Sequence, residues 1–353
     1  WLYQCNTTWR LSMSKAAELA KMGEVLTNGQ IGGRRNIIIN GAMQVAQRAT
    51  SATFNSSTGD YQTVDRFRFA GNRDQYVATL SQASDSPSGF ANSFKVATTT
   101  QETSLDADNQ LNIQHRLEGQ DLQQLKKGTS DAEKLTLSFY VKSSIATTFT
   151  VNLVDGDNTR TIASTYTVNV ADTWELKTIT FAGDTTGTLD NDNARSLDLK
   201  FWLDGGTTYT SGTLATSWAS SNDANKISAT TGFMTTANST WQITGIQLEV
   251  GSTATPFEHR SFGEEFSLCS RYYEVAEAYG NSYHYNDQAS SSDREDITAT
   301  YKVEKRATPT LTVTNQSTGS LSNLSNTTKK ATYRRTGSFG STAAYSVVSE
   351  AEL

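Results

Sequence analysis

The chain contains little cysteine, proline, histidine or charge, and each shortage excludes a class of protein. Two cysteines, Cys5 and Cys269, are too few for a disulfide framework, although a single bridge between them stays open. Three prolines exclude a proline-rich linker, and the three histidines show no zinc-ligand spacing. Charged residues make up 19% of the chain, below the roughly 25% that is typical of globular proteins.

The weak charge and the lack of long apolar runs exclude two kinds of partner. The net charge of -6 is scattered, and no basic stripe is present that would displace counterions from nucleic acid phosphates. No apolar run approaches the roughly 20 residues of a transmembrane helix. Residues 1–12 also lack the basic start and apolar segment of a secretory signal. We therefore expect no nucleic acid binding, no membrane insertion, and synthesis in a reducing cytoplasm.

Polar, branched and aromatic residues take the place of the missing charge. Fourteen Tyr, 14 Phe and 6 Trp argue against disorder, and a chain rich in Thr and aromatics suits half-buried strands. Apolar and polar residues alternate with period two in 134–143, 149–153 and 196–206. Short alternating strands between Gly, Asn and Asp turns predict antiparallel sheets packed as a sandwich.

Two of the alternating segments change phase, which predicts bent strands. In 173–183 the apolar set moves from Trp174 and Leu176 to Ile179 and Phe181, and 241–250 shows a similar slip at Gly245. A one-residue slip exchanges the two faces of a strand, so we predict a β-bulge in each. The sequence therefore predicts a mainly β fold whose central part, residues 36–256, is a jelly-roll-like β-sandwich.

Two further regions flank the predicted sandwich. Residues 1–35 form an N-terminal attachment segment with a short helix over 13–28, in which Leu19, Met22 and Leu26 share one stripe. Met13 resembles a natural start. Residues 257–353 are predicted as a smaller, mostly β (α+β) domain. Its strands are expected at 296–303, 310–315 and 343–348.

The smaller domain is predicted to open with a capped helix. Ser261 can cap the helix, and Glu264 stands three residues later, as in a capping box. The apolar stripe of this helix consists of Phe262, Phe266, Cys269 and Tyr273.

Several long segments carry a resemblance to a known family. They are NIIINGAMQVAQR (36–48), TVDRFRF (63–69), LTLSFYVKS (135–143), WQITGIQLEVGSTATPFEHRSFGEEFSLCSRYY (241–273), KVEKRATPT (302–310) and the terminal SEAEL. From Met13 onward the chain resembles a family of tail-fibre proteins found in phages of cyanobacteria and other marine bacteria. The twelve residues before Met13 do not align with it.

The resemblance implies a virion structural protein without enzymatic activity, made in the host cytoplasm. One end would attach to other phage particle proteins through the N-terminal segment, and the other would contact a host cell-surface glycan. Because phage fibres are generally trimers, we expect a homotrimer. Two alternatives stay open: a head fibre or capsid decoration protein, and a fibre that depolymerises glycans.

A Tyr-, Asn- and Ser-rich stretch, 279–293, is the predicted host-contact loop. Tyrosine gives broad amphipathic contacts at low entropy cost, and Ser, Asn and Gly give adaptable polar ones. A solvated loop without a binding role is the alternative. The predicted contact residues are Tyr279, Asn281, Tyr283, His284, Tyr285 and Asn286.

A second group superficially resembles a catalytic site: His259, Arg260, Glu264, Glu265 and Cys269. A cysteine nucleophile needs a histidine base within hydrogen-bond reach. Here Cys269 lies on the apolar stripe of the predicted helix, and both glutamates lie in its first turn, where the helix dipole favours them. We interpret the group as structural.

Calcium and glycan cleavage are the other chemical alternatives. The Asx-rich segments 155–158 and 190–193 offer oxygen ligands to calcium, but such residues also form turns without an ion. Glycan cleavage needs two carboxylates about 5–9 Å apart, and the sequence singles out no such pair. The short-period repeats of a β-helix are also absent. We expect no cofactor.

Overall fold

A computed structural model describes residues 35–55, 59–283, 294–315, 320–336 and 344–353. The predicted N-terminal helix, with Leu19, Met22 and Leu26, lies outside these ranges. The described residues form three six-stranded sheets in which all strand pairs are antiparallel. The prediction of a mainly β, antiparallel sandwich fold is therefore confirmed.

The first two sheets form the sandwich. In spatial order the first sheet contains β1 (Ser51–Phe54), β3 (Val77–Ala83), β4 (Ser93–Thr100), β12 (Thr240–Val250), β6 (Leu135–Ser143) and β9 (Glu175–Phe181). The second sheet contains β11 (Ala219–Ser220), β8 (Arg160–Thr167), β7 (Thr148–Asp155), β10 (Arg195–Gly205), β5 (Gln110–Glu118) and β2 (Phe67–Asn72).

The main core lies between these two sheets. Alternate side chains of each strand point inward, so the predicted alternating segments 134–143, 149–153 and 196–206 appear as β6, β7 and β10. The rings of Phe139 on β6 and Phe201 on β10 meet edge to face with centroids 5.0 Å apart. Both side chains are buried, and this packing holds the two sheets face to face.

One of the two predicted bulges is present and the other is wrong. On β12 the register with β6 shifts between Thr244 and Gln247, around Gly245, as the phase slip predicts. By contrast, β9 pairs with β6 in continuous register. Trp174 precedes this strand and Leu176 is exposed on it. The apparent slip arises because β9 is an edge strand whose first apolar residues face away from the core.

The third sheet follows the sandwich in the chain. Its strands in spatial order are β15 (Thr310–Asn315), β18 (Ala344–Glu350), β13 (Tyr273–Tyr283), β14 (Arg294–Thr300), β17 (Lys330–Thr336) and β16 (Ser320–Asn326). The sequence predicted β14, β15 and β18 in outline, although β14 ends at Thr300 and not at residue 303. It missed β16 and β17, because their side chains show little apolar alternation.

Two α-helices and three 3-10 turns complete the described secondary structure. The helices are α1 (Thr207–Thr210) and α2 (Phe262–Ser270), and the turns are Gly119–Asp121, Gln123–Leu125 and Asp223–Asn225. Within the described ranges, neither helix has the length and apolar content to cross a bilayer. The oxygen of Ser261 accepts a hydrogen bond from the Glu264 amide at 3.3 Å, so the predicted cap of α2 is confirmed.

The predicted apolar stripe of α2 is only partly correct. Cys269 is buried, but Phe262 is exposed and the helix ends at Ser270, before Tyr273. The buried residues of α2 are Glu265, Cys269 and Ser270, so its inward side carries a glutamate where the stripe predicted an aromatic residue. Cys269 contacts a small apolar cluster with Ile39, Val45 and Tyr272.

Buried polar contacts fasten the third sheet to the sandwich. Glu118, at the end of β5, accepts hydrogen bonds from Arg271 at 2.8 and 2.9 Å and from the Tyr272 hydroxyl at 2.5 Å. Arg66 forms an ion pair with Glu352, and both side chains are buried. The predicted division after residue 256 falls between β12 and α2, and the two parts share this polar interface.

Candidate functional site

The outer face of the second sheet carries polar side chains on its central strand, β10. Leu199 and Phe201 point into the core, so Asp198, Lys200 and Trp202 point outward. Asp198 and Trp202 are buried even though they face away from the core, and the side chain of Lys200 is 16% exposed. Buried outward-facing residues at the centre of a sheet indicate that this face is covered or recessed.

Cross-strand pairing arranges these side chains in three parallel rows. In the middle row, Lys200 stands between Gln114 of β5 and Asn152 of β7, and Gln114 pairs in turn with Arg68 of β2. This row therefore contains four polar side chains from four neighbouring strands, because residues directly opposite each other share a face.

The rows on either side have different character. Asp198 pairs with Arg116 of β5, which gives a charged row. Trp202 pairs with Asn112 on one side, and its ring packs against Tyr209 of α1 and against Ile227. The Trp202 row is thus covered by chain from outside the sheet, whereas Gln114 and Lys200 of the middle row line an open groove.

The open middle row forms the floor of a groove of about 340 Å³. Arg68, Ala70 and Gly71 of β2 bound one side. Tyr209, Asp223 and Lys226 bound the other. Between them the floor is formed by Gln110, Gln114 and Lys200. This volume lies near the lower end of the roughly 300–1,000 Å³ that ligand pockets occupy.

Lys200 is the central side chain of the groove. Its Nζ lies 3.6 Å from the Asp198 carboxylate and makes no hydrogen bond to any residue that the structure describes. Burial lowers the pKa of Lys200 to about 8, and the nearby charges of Arg195, Lys226 and Arg116 act in the same direction against the opposing effect of Asp198. The ammonium therefore lines the groove with its hydrogen-bonding capacity unused.

A network of amide and guanidinium groups fixes the orientation of the groove floor. The Gln114 Oε1 atom accepts hydrogen bonds from Arg68 Nη1 at 3.1 Å and Arg116 Nη2 at 3.3 Å. Its Nε2 donates to Asn112 Oδ1 at 2.7 Å. Asn152 donates through Nδ2 to the Lys226 carbonyl at 3.0 Å. The Oδ1 atom of Asn152 is buried without a partner among the described atoms.

Tyr209 supplies an aromatic wall beside this polar floor. Its ring lies 5.4 Å from the Trp202 ring, which anchors it. No described residue forms a hydrogen bond with its hydroxyl. The pKa of Tyr209 is raised by partial burial and by the carboxylates of Asp223 and Asp108. The phenol is therefore a neutral group at physiological pH that can both donate and accept a hydrogen bond.

Three of the six predicted host-contact residues lie on the third sheet. Tyr279, Asn281 and Tyr283 belong to β13, so the expectation of a loop from residue 279 is wrong for this part. The strand continues because it pairs with β18 through Tyr279 and with β14 through Tyr283. The other three predicted residues, His284, Tyr285 and Asn286, lie outside the described residues. A host-contact role for the stretch stays a prediction.

The group that resembles a catalytic site contacts the backbone of residues 36–40. Arg260 Nη1 donates to the Ile38 carbonyl at 3.0 Å, and Glu265 accepts a hydrogen bond from the Asn40 amide at 2.5 Å. His259 packs its ring against Phe257 with centroids 4.9 Å apart.

Cys269 lies at the buried end of the same group. Burial raises the pKa of the Cys269 thiol well above its ordinary value, so the thiol remains protonated. These contacts agree with the structural interpretation of the group.

The Asx-rich turns are engaged by side chains of the chain itself. Asp155 is buried and forms an ion pair with Lys127, whose ammonium also lies 3.0 Å from Asp184. Asp157 accepts a hydrogen bond from the Asp190 amide at 3.0 Å. Among the described residues, no group of three or more His, Cys, Asp or Glu side chains is placed to hold a metal ion.

The alternating pattern of the sequence identifies the polar face that carries the groove but not the groove itself. The segment 196–206 places Asp198, Lys200 and Trp202 on the polar face, and 110–118 does the same for Asn112 and Gln114. Alternation identifies this face as outward-facing. It cannot show that the two strands are neighbours, or that their outward side chains are recessed under chain from α1 and residues 223–227.

No protein-family model matches the chain, and no characterised protein has a significantly similar sequence. Several solved structures are similar in part. One is the enzymatically active domain of tailspike protein 4 of bacteriophage CBA120, with 11% identity and a TM-score of 0.32 over 61% of this chain. The match covers 21% of the tailspike structure, so the chain spans about a fifth of it.

Two other similar structures are a carbohydrate-binding module and discoidin II. A family 11 carbohydrate-binding module of a cellulosomal cellulase of Clostridium thermocellum has 14% identity and a TM-score of 0.30, over 60% of this chain and 99% of the module. Discoidin II of Dictyostelium discoideum has 10% identity and a TM-score of 0.19, over 76% and 86% of the two chains. At these values the similarities carry no argument for a shared function.

Proposed function

We propose that this chain is a carbohydrate-binding protein and that the groove on the second sheet holds the saccharide. The observation that carries the proposal is the set of Arg68, Gln114 and Lys200, which share one row of the sheet and line the groove. Sugar hydroxyls both donate and accept hydrogen bonds, and this row offers ammonium and guanidinium donors together with an amide group. The Lys200 Nζ atom lies 3.6 Å from the Asp198 carboxylate and forms no hydrogen bond with the described residues.

The wall formed by Tyr209 supports the same ligand class. Tyr209 is 8% exposed and the surface of the groove is almost entirely polar, so this side chain can offer its hydroxyl to a saccharide. Tyr209 is held by Trp202 from behind, so the ring needs no reordering to receive a ligand.

The groove supports binding without cleavage. Glycoside hydrolysis needs two carboxyl groups about 5–9.5 Å apart, one of them able to carry a proton. Asp198 accepts two hydrogen bonds from the Arg195 guanidinium, and Asp223 forms an ion pair with Lys226. Both carboxylates are thus engaged with cations of the chain itself, and Asp223 is the one carboxylate that lines the groove.

We propose further that the protein is a virion component, a subunit of a homotrimeric phage tail fibre whose sandwich contacts a host glycan. The sequence segments listed above that resemble tail-fibre proteins support this placement. Density for the chain on the tail in a reconstruction of the whole particle, with three copies per fibre, is the expected result. Density on the capsid would instead indicate a head fibre or decoration protein.

Removal of a single hydroxyl group tests whether the groove is the saccharide-binding site. Tyr209→Phe removes the hydroxyl and keeps the ring packed on Trp202, so the fold is preserved. Loss of one hydrogen bond of about 1 kcal/mol predicts roughly fivefold weaker binding to glycans that the wild-type chain selects from an oligosaccharide array. Isothermal titration calorimetry measures the change.

The matched control is Tyr140→Phe, which removes a hydroxyl from the outer face of the first sheet. Its affinity should equal that of the wild type. If both variants bind as the wild type does, the groove is not the binding site. If the wild-type chain binds no glycan on the array, the proposed function is wrong.

A further inference from the structure

The groove carries an excess of positive charge within an acidic protein. Its lining includes three basic side chains, Arg68, Lys200 and Lys226, and one carboxylate, Asp223. The chain as a whole has a net charge of -6. The positive potential is therefore a local feature of the groove and does not follow from the overall composition.

The neighbouring charged row adds to this excess. Asp198 is the one carboxylate there, and it is shared by Arg195, by Arg116 at 4.0 Å and by Lys200 at 3.6 Å. Arg195 and Arg116 together carry more charge than the single carboxylate can neutralise, so the charge of Lys200 is not fully neutralised. The cations also repel one another: burial lowers the pKa of Arg68, and the charge of Arg116 lowers it further.

We propose that the saccharide bound in this groove carries a negatively charged substituent, a carboxylate or a sulfate ester, which lies against Lys200 and Arg68. This inference rests on the proposed function and adds the chemical class of the sugar. An anion relieves the repulsion among the buried cations and supplies the hydrogen-bond partner that Lys200 Nζ lacks among the described residues.

The geometry of the floor suits an anion better than a neutral hydroxyl. Lys200 and Arg68 stand in one row with Gln114 between them. The Gln114 Oε1 atom already accepts hydrogen bonds from Arg68 and Arg116. The groups of this row that can still form hydrogen bonds with a ligand are therefore donors. Arg68 also donates through Nη2 to the Gly59 carbonyl at 3.0 Å, so Lys200 is the donor with the most free capacity, and a carboxylate or a sulfate is a group that only accepts hydrogen bonds.

The test compares acidic oligosaccharides with their own neutralised forms. The array holds uronate oligosaccharides beside their methyl esters, and sulfated oligosaccharides beside the desulfated backbones. The expected result is a preference of more than about tenfold for the acidic member of at least one pair, since charge-assisted hydrogen bonds are roughly twice as strong as neutral ones. The uronate and sulfate pairs distinguish the two anions.

Three variants locate the preference. Lys200→Gln and Arg68→Gln should each reduce it at least severalfold, because affinity for the acidic member should fall more than affinity for the neutral member. Lys95→Gln is the matched control. Lys95 points outward from β4 of the first sheet, and its substitution removes the same charge. Its preference should equal that of the wild type, at physiological salt as well as at low salt.

The possible failures are distinguishable. Equal binding of acidic and neutral members, weakened by Tyr209→Phe, would overturn the anionic ligand and leave carbohydrate binding intact. A preference that persists in Lys200→Gln and Arg68→Gln would overturn the assignment to these two side chains. No binding to any saccharide would contradict the proposed function itself, and the anionic ligand with it.

Discussion

The outer faces of the two sandwich sheets are both polar at their central strands, yet they are completed in different ways. On β12 of the first sheet the outward residues include Gln247 and Glu249, both fully buried. The segment that follows the strand covers them. Glu249 accepts hydrogen bonds from the Thr255 amide and hydroxyl at 2.9 and 2.6 Å, and Gln247 Oε1 accepts one from the Glu258 amide at 2.8 Å.

On β10 of the second sheet the cover is incomplete: the Lys226 carbonyl accepts a hydrogen bond from Asn152 at one end of the middle row, but Lys200 lines the groove. The Asn152 Oδ1 atom is buried without a hydrogen-bond partner in the described part of the chain. Buried polar groups in native proteins are nearly always paired, and where the chain does not supply the partner, water or a ligand does. The comparison therefore separates a face used to join parts of the protein from a face available for binding.

The largest expected effect is on stability at the charged row of the second sheet. Asp198→Asn keeps the shape of the side chain but leaves Arg116, Arg195 and Lys200 around a neutral group. Removing one partner from a buried ion pair costs about 3 kcal/mol or more, so the free energy of unfolding should fall by about 3 kcal/mol in urea titrations.

The control for this variant is the second carboxylate of the same face. The side chain of Asp223 is 58% exposed and pairs with Lys226 at the rim, so Asp223→Asn should cost less than about 0.5 kcal/mol. Similar losses for the two variants would show that the buried charges of this face are not coupled through Asp198.

A smaller effect is expected where the first sheet meets its cover. Gly245, in the bulge of β12, has a φ of +62°, and an added Cβ would lie 2.7 Å from the Phe90 ring. Gly232 has a φ of +75° and its nearest atom would be 3.8 Å away. Backbone strain predicts a loss of about 1 kcal/mol for Gly232→Ala, and overpacking adds about 1 kcal/mol more for Gly245→Ala.

Thermal or urea unfolding of the two glycine variants measures the difference. Glycan affinity should be unchanged in both, because neither residue touches the groove. If Gly245→Ala were no less stable than Gly232→Ala, Phe90 would have room to move and the cover of the first sheet would be looser than its contacts indicate.

The fold could be predicted from the sequence where apolar and polar residues alternate along a strand. Segments 134–143 and 196–206 became β6 and β10, and the slip at Gly245 became a bulge, because the core selects apolar residues at every second position. Leu176 misled the same reasoning. Edge strands lie under less of the core, so an apolar residue there can face outward, and the pattern alone does not show which strands are edges.

The candidate site was less predictable because its residues are distant in sequence. Arg68, Gln114, Lys200 and Lys226 come from separate strands and a loop, and pairing brings them together. The Tyr-rich stretch attracted attention because its composition is local, and five of its residues proved to lie in β13. Outward polarity is visible in a sequence. Whether another segment covers it depends on contacts across more than a hundred residues.

The smallest expected effect is the pH dependence of affinity for the acidic saccharide, which tests the role of Lys200 in the groove. Because the pKa of Lys200 is lowered to about 8 in the free protein, the ammonium is mostly charged at pH 7 and mostly neutral at pH 9. An anionic ligand favours the charged form, so affinity for the acidic saccharide should fall as pH rises through 8, by about tenfold at most between pH 7 and 9.

The control is Lys200→Arg, whose side chain stays charged over this range, so its affinity for the acidic saccharide should be nearly constant. The other charged groups facing Lys200, namely Asp198, Arg116, Arg195 and Lys226, are the same in both proteins, so their titration cancels in the comparison. Equal pH slopes for the two proteins in calorimetric titrations would mean that Lys200 does not contact the anion.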